Sequence, residues 1–139
     1  MLLNELILEG KINIKKTHQK VTYHDPCHLG RHCNIYEEPR QIIKNTSILV
    51  EMDRNRERSR CCGAGVKSAF PDIALKIASK RIEDAKSIDA EIIITSCSFC
   101  ILNLKNAFKY GLGNDIVCSV SNILDIIELV VMGLEYEGF

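Results

Sequence analysis

Residues 90–111 read AEIIITSCSFCILNLKNAFKYG. The Ile-rich run at 92–95 has the composition of a short strand. From about Ser98 a helical pattern takes over and continues to Tyr110, where Gly111 closes it. Two cysteines, Cys97 and Cys100, stand at the junction. Outward from this unit the same alternation recurs. Further β-type runs lie at 21–24, 48–52 and 116–120. Helical patterns lie at about 39–46, with Pro39 suited to a first turn, at 71–87, and at 121–132, which opens on a Ser-Asn cap signal and closes at Gly133. In the second of these, Ile73, Ala74, Ile77, Ala78, Ile82 and Ala85 recur at three- and four-residue intervals and form an inner stripe.

Parallel strands need crossovers long enough to hold a helix, so this alternation predicts an α/β fold. The expected form is a small open, mostly parallel sheet of about four strands with helices on both faces. Residues 1–16 read as a short amphipathic helix and a charged linker, able to dock on this domain or a neighbour.

The chain has 139 residues, enough for one core, and folding at this size buries roughly 68–70% of the unfolded surface. Lys plus Arg equals Asp plus Glu, 18 against 18, so no global field draws it to nucleic acid or an anionic membrane. The longest apolar run, 126–134, is interrupted by Glu128 and too short to span a bilayer. The N-terminus carries Glu5 and Glu9 and lacks the basic start of a secretory signal. These features predict a cytoplasmic protein, peripheral to a membrane only through a partner subunit. Seven cysteines in such a setting favour metal binding or redox chemistry over structural disulfides.

The cysteines fall where ligands bind in open parallel sheets, beyond the carboxyl ends of strands. Cys27 follows the first strand, Cys61 and Cys62 lie in the loop after the second, and Cys97 and Cys100 follow the third. Three sequence-distant groups of thiols should therefore converge at one edge. The start of a helix favours thiolate at Cys97 and Cys100. Cys61 and Cys62 are neighbours whose Cα atoms lie ~3.8 Å apart, closer than the 4.4–6.8 Å usual for a disulfide. A polynuclear cluster can give adjacent sulfurs different irons, which one tetrahedral zinc cannot, so five thiols suit iron-sulfur ligation better than zinc. A zinc site on four of the five, a thioredoxin-like dithiol at Cys97 and Cys100, and plain buried cysteines are the competing readings. Cys33 and Cys118 fit the last of these.

Three blocks carry a resemblance: YHDPCHLGR at 23–31, CCGAG at 61–65 and TSCSFC at 95–100. They resemble the signature blocks of the cysteine-rich CCG domain, and the likeness covers the chain from about residue 20, so that 17–139 is expected to be one such domain. The wording is similar to the catalytic iron-sulfur subunits of heterodisulfide reductases, which cleave the mixed disulfide of coenzyme M and coenzyme B in methanogenic archaea. Similar domains occur in iron-sulfur subunits of glycolate, lactate and glycerol-3-phosphate oxidising complexes, where a cluster relays electrons.

The resemblance implies a noncubane [4Fe-4S] cluster on Cys27, Cys61, Cys62, Cys97 and Cys100, at which a small-molecule disulfide is reduced. It implies partners too: a second CCG-domain chain, since reductase-type members carry two such domains in tandem, and a ferredoxin-like or other electron-donating subunit. Arg54, Arg56, Arg58 and Arg60 precede the cysteine pair. The ordinary reading of such a run is a solvated loop. The functional reading gives Arg58 or Arg60 an anionic group of the substrate or cluster to grip. His24, His28 and His32 flank Cys27, and loop hydrogen bonding competes with ligation or proton donation, the role considered for His28. Asp25, before Pro26, is expected to organise the turn.

Overall fold

The computed structural model describes residues 2–110 and 119–134. Helix α1 (Leu2–Leu8) precedes strand β1 (Lys20–Tyr23), helix α2 (Glu37–Thr46) and the two-residue strand β2 (Ile48–Leu49). Helix α3 (Pro71–Lys86), strand β3 (Ile92–Thr95), helix α4 (Ser98–Tyr110), strand β4 (Asn122–Asp125) and helix α5 (Ile126–Gly133) follow. Every strand pair is parallel and the order is β2-β1-β3-β4. The expected α/β architecture is thus present. The direction of winding reverses between β1 and β3, which leaves a crevice beyond their carboxyl ends.

Strand alternation sorts the core into two halves. Val21, Tyr23, Ile92, Ile94 and Leu124 face α2 and α5, where they meet Ile42, Ile43, Leu129 and Val130. Ile93 and Ile123 face α3 and α4 and meet Ala78, Ile82, Ala85, Leu104 and Ala107. Each fully buried isoleucine contributes roughly 1.5–3 kcal/mol by leaving water. The same period-2 rule puts Thr22 and then His24 on the α3/α4 side of the sheet, and Asp25 on the α2 side. The ladder runs on to His24, whose N–H donates to the Ile94 carbonyl at 2.8 Å.

The N-terminal segment docks on this domain. Leu3, Ile7 and Ile14 pack against the α2/α5 half of the core. Asn4 donates to Gln41 at 2.6 Å, and Ile14 bridges to Leu134 in antiparallel fashion.

The fourth strand departs from expectation. Of the run at 116–120, residues 116–118 lie outside the described residues, as does Gly111, and 119–120 are irregular. The strand is instead Asn122–Asp125, inside the segment read as helix 121–132. It pairs with β3 from Ile92↔Asn122 to Thr95↔Asp125. Ile123, Leu124, Ile126 and Ile127 satisfy either period over so short a stretch, and the open edge of β3 decides between them. The helix starts four residues later than its expected cap. Asp125 accepts from the Ile127 N–H at 2.9 Å, while Glu128 accepts from the Asp125 N–H at 2.7 Å, a reciprocal capping box. Asp125→Ala should therefore lower the unfolding free energy by about 1 kcal/mol. Ser121→Ala should cost less than about 0.5 kcal/mol. Urea midpoints of the two variants check this; a larger loss at Ser121 would return the helix start to 121.

Candidate metal and redox site

The carboxyl ends of β1 and β3 carry the site. His24 is buried, and one of its ring nitrogens lies within 4.8 Å of the Cys62 and Cys100 sulfurs, which are within the same distance of each other. Cys62 and Cys100 are buried and free. Three segments far apart in sequence supply this group, the end of β1, the loop before α3 and the first turn of α4. Cys97 joins it electrostatically through Cys100. It caps α4, its carbonyl accepting from Ile101 at 3.0 Å.

Cys27 is half-buried and Cys61 exposed; both lie outside the tight group. The Cys27 sulfur is 3.7 Å from His28 Nδ1 at the head of a π-helical turn, His28–His32. Cys61 Sγ accepts from the Gly63 N–H at 3.3 Å. Cys33 is exposed, and Cys118 is outside the described residues.

Two backbone devices present Cys62. Gly63 has φ +83°, and a Cβ there would stand 2.8 Å from the Ala74 carbonyl oxygen and 3.1 Å from Ile77 Cβ. Only glycine allows both the left-handed turn and the close approach to α3. Asn103, one turn beyond Cys100, donates to the Cys62 carbonyl at 2.7 Å and to the Ala74 carbonyl at 3.3 Å. The cysteine loop is thereby tied to α3 and α4 at once.

The thiols are electrostatically unlike. Hydrogen bonding with Cys100 pulls the Cys62 thiol down to about 4, against the burial that raises it, and a hydrogen bond with His24 helps. Cys100 is pushed up, first as the proton-holding partner of Cys62 and then by burial. The helix start was expected to favour thiolate at Cys100. Instead the pair shares one proton, because two buried anions this close repel more strongly than a helix end can offset. Burial lowers His24 and keeps the ring neutral.

Two arginines, Arg40 and Arg81, are completely buried, and neither was singled out in the sequence. Arg40 grips Asp25 through both oxygens, at 2.6 and 3.0 Å, and donates to Glu51 and the Tyr36 carbonyl, using all its N–H groups. Asp25 also accepts from the Arg56 backbone N–H at 2.8 Å. Its carboxylate thus ties the end of β1 to α2 and to the loop at Arg56, rather than to the turn it precedes. Arg81 donates to His24 Nδ1 at 3.1 Å, the Arg54 carbonyl at 2.8 Å and Ser59 Oγ at 3.2 Å. Position 81 falls on the inner stripe of α3, between Ala78 and Ala85, and that periodicity was the available signal.

The basic run divides. Arg56 is held by Glu37 at 2.6 Å. Arg60 Nε lies 3.0 Å from Asp84, in ion-pair reach but not aligned as a hydrogen bond. Arg54 and Arg58 are exposed, with no side-chain ion pair among the described residues. His28 is exposed, its ring 5.2 Å from that of His32.

Residues 21–105 match the profile of CCG, the cysteine-rich domain. The chain belongs to the CCG cysteine-rich domain family. A dihydromethanophenazine:CoB–CoM heterodisulfide reductase subunit from Methanosarcina mazei is 44% identical over 97% of this chain and 33% of its own length. A fumarate reductase (CoM/CoB) subunit from Methanothermobacter marburgensis is 38% identical over 85% of this chain and 24% of its own. The probable iron-sulfur-binding oxidoreductase FadF of Bacillus subtilis is 32% identical over 96% and 19%. The chain spans about a third of the length of the reductase subunits it matches. Among the described residues no helix is long and apolar enough to cross a membrane.

Gly63 is a conformational requirement of this loop. Gly63→Ala should destabilise the domain by roughly 2–4 kcal/mol, from left-handed strain plus the clash with α3. Gly65→Ala, with open space around the added carbon, should cost less than about 1 kcal/mol. Equal thermal shifts in the two variants would contradict this account of the loop.

Proposed function

We propose that this chain is a domain of an iron-sulfur oxidoreductase subunit of the heterodisulfide-reductase type. In this reading Cys27, Cys61, Cys62, Cys97 and Cys100 hold a noncubane [4Fe-4S] cluster at which a thiol-coenzyme disulfide is reduced. The carrying observation is the meeting of Cys62 and Cys100 at the crevice between β1 and β3, with Cys97 alongside. Soft thiolate donors on separate loops suit an iron-sulfur centre, and the residues present fit one.

Bound there, the cluster would supply single electrons and an iron able to take up a substrate sulfur. The chain's own residues do the rest. Cys62, already inclined to thiolate, needs no proton removed by a base before ligation. Arg58, exposed and without an ion pair among the described residues, binds an anionic end of the substrate. His28, beside Cys27, delivers a proton to the departing thiolate. A second CCG-domain chain and an electron-donating subunit complete the enzyme, consistent with relatives that are about three times as long.

A second reading keeps the cluster as an electron relay in a larger oxidoreductase. The relative named as a fumarate reductase subunit and the one named as an iron-sulfur-binding oxidoreductase support it.

Anaerobically reconstituted protein should contain iron and acid-labile sulfide in about equal amounts, and Cys62→Ser or Cys97→Ser should lose most of both. One zinc per chain, or full iron in both variants, would overturn the assignment. Addition of a mixed thiol-coenzyme disulfide should give a new paramagnetic signal in the disulfide-reducing reading and none in the relay. Arg58→Glu should keep the iron and weaken that response about tenfold or more, the size of one charge-assisted hydrogen bond. An unchanged titration would remove Arg58 from the substrate site.

A further inference from the structure

Among the described residues Arg81 has one carboxylate partner, Asp84, at the long end of hydrogen-bond range. It is fully buried, yet the nearest acidic oxygen, on Asp84, is 3.5 Å away and also serves Arg60 at 3.0 Å. Its Nε–H is spent on the His24 ring. A guanidinium has only donors and does not lose its proton in proteins, so the nitrogen that faces it must offer a lone pair. His24 Nδ1 is therefore bare. A neutral ring then carries its proton on Nε2, and that N–H is the one donor the ring has left for the thiols.

A ring in this state cannot ligate a metal. Metal at Nε2 would require the proton to move to Nδ1, where it would point at the Arg81 Nε–H. Ligating histidines have the opposite arrangement, with the second nitrogen donating to a carboxylate or carbonyl. Proximity alone would make His24 a third ligand beside Cys62 and Cys100. Its other neighbour forbids it.

We propose that Arg81 is a positioning residue that locks His24 as an Nε2–H donor to the Cys62 sulfur, so that His24 tunes the metal centre without binding it. A hydrogen bond to a ligand sulfur stabilises the reduced, more negative state over the oxidised one, so the centre becomes easier to reduce. The redox consequence rests on Cys62 and Cys100 being cluster ligands. The tautomer does not.

Long-range proton-nitrogen NMR of the full chain, metal-free and under reducing conditions, reads which ring nitrogen carries the proton and needs no variant. The proton is expected on Nε2, and Arg81→Met should release the ring to a mixture of tautomers. A proton on Nδ1 in the native chain overturns the proposal. In reconstituted protein, His24→Gln and His24→Leu should both retain the iron. The glutamine keeps an N–H near the position of Nε2 and should hold the reduction potential close to native, whereas leucine should shift it to a more negative value. Loss of iron in both variants would make His24 a ligand and sink the idea. If the native chain takes up no iron, the cluster assignment fails and the tautomer still decides this inference.

Discussion

Two buried arginines grip successive residues at the end of β1 from opposite faces of the sheet. Arg81 on α3 holds His24, and Arg40 on α2 holds Asp25. The alternation of the strand makes this possible, since neighbouring residues point to opposite sides. The arrangement fixes where β1 stops and where the chain leaves for Cys27. It is costly, because an unpaired guanidinium in such a place would lose several kcal/mol of hydration. Arg40 avoids that by satisfying every donor, four of them on carboxylates. Its planar fork also stands 5.2 Å from the centre of the Tyr23 ring. Arg81 is less well compensated, with a ring nitrogen, a carbonyl, a hydroxyl and one carboxylate at 3.5 Å, shared with Arg60, as its partners. A positive charge is thus left close to the one part of the core that collects thiols.

The Cys62 thiol is pulled well down, first by hydrogen bonding with Cys100 and then, against its burial, by the His24 ring. In a poorly solvated site such interactions are felt more strongly than in water. The backbone reinforces them. Gly63 lets the loop press against α3, and Asn103 holds the Cys62 carbonyl, so the sulfur is presented by a frame that cannot easily relax. Rigid presentation of ligands keeps the reorganisation on electron gain or loss small, as a redox centre requires.

The parts of this that were legible in the sequence are those that depend on short, local patterns. The strand at 92–95 and the helix at 98–110 are found as read, because the β-branched run and the helical pattern that follows it leave little overlap between the two periods. The position of three cysteine groups after three strands followed from topology. What escaped was long-range. Arg81 and Arg40 were not singled out, because charged residues are seldom fully buried and nothing local reveals the partners that make burial tolerable. His24 reads as the last residue of the first strand run, and the ladder bond to Ile94 agrees, but its buried partner Arg81, some sixty residues on, leaves no local mark. The Asp125 and Glu128 capping pair was present in the sequence, but an earlier Ser-Asn signal competed with it.

The distribution of the sulfurs bears on what kind of centre they suit. A tetrahedral ion with sulfur ligands at about 2.3 Å needs those sulfurs roughly 3.8 Å from one another, all facing one point. Here Cys62 is buried beside Cys100 while Cys61, its neighbour in the chain, is exposed and turned to the Gly63 N–H. Adjacent residues with such different surroundings are poorly placed to converge on a single ion. In the proposed cluster reading they would hold different metals of one larger centre, with Cys62 and Cys100 buried, Cys27 half-buried and Cys61 exposed. In the proposed disulfide-reducing reading, the exposure of Cys61 and Arg58 would leave room for a substrate sulfur, which a relay would not need.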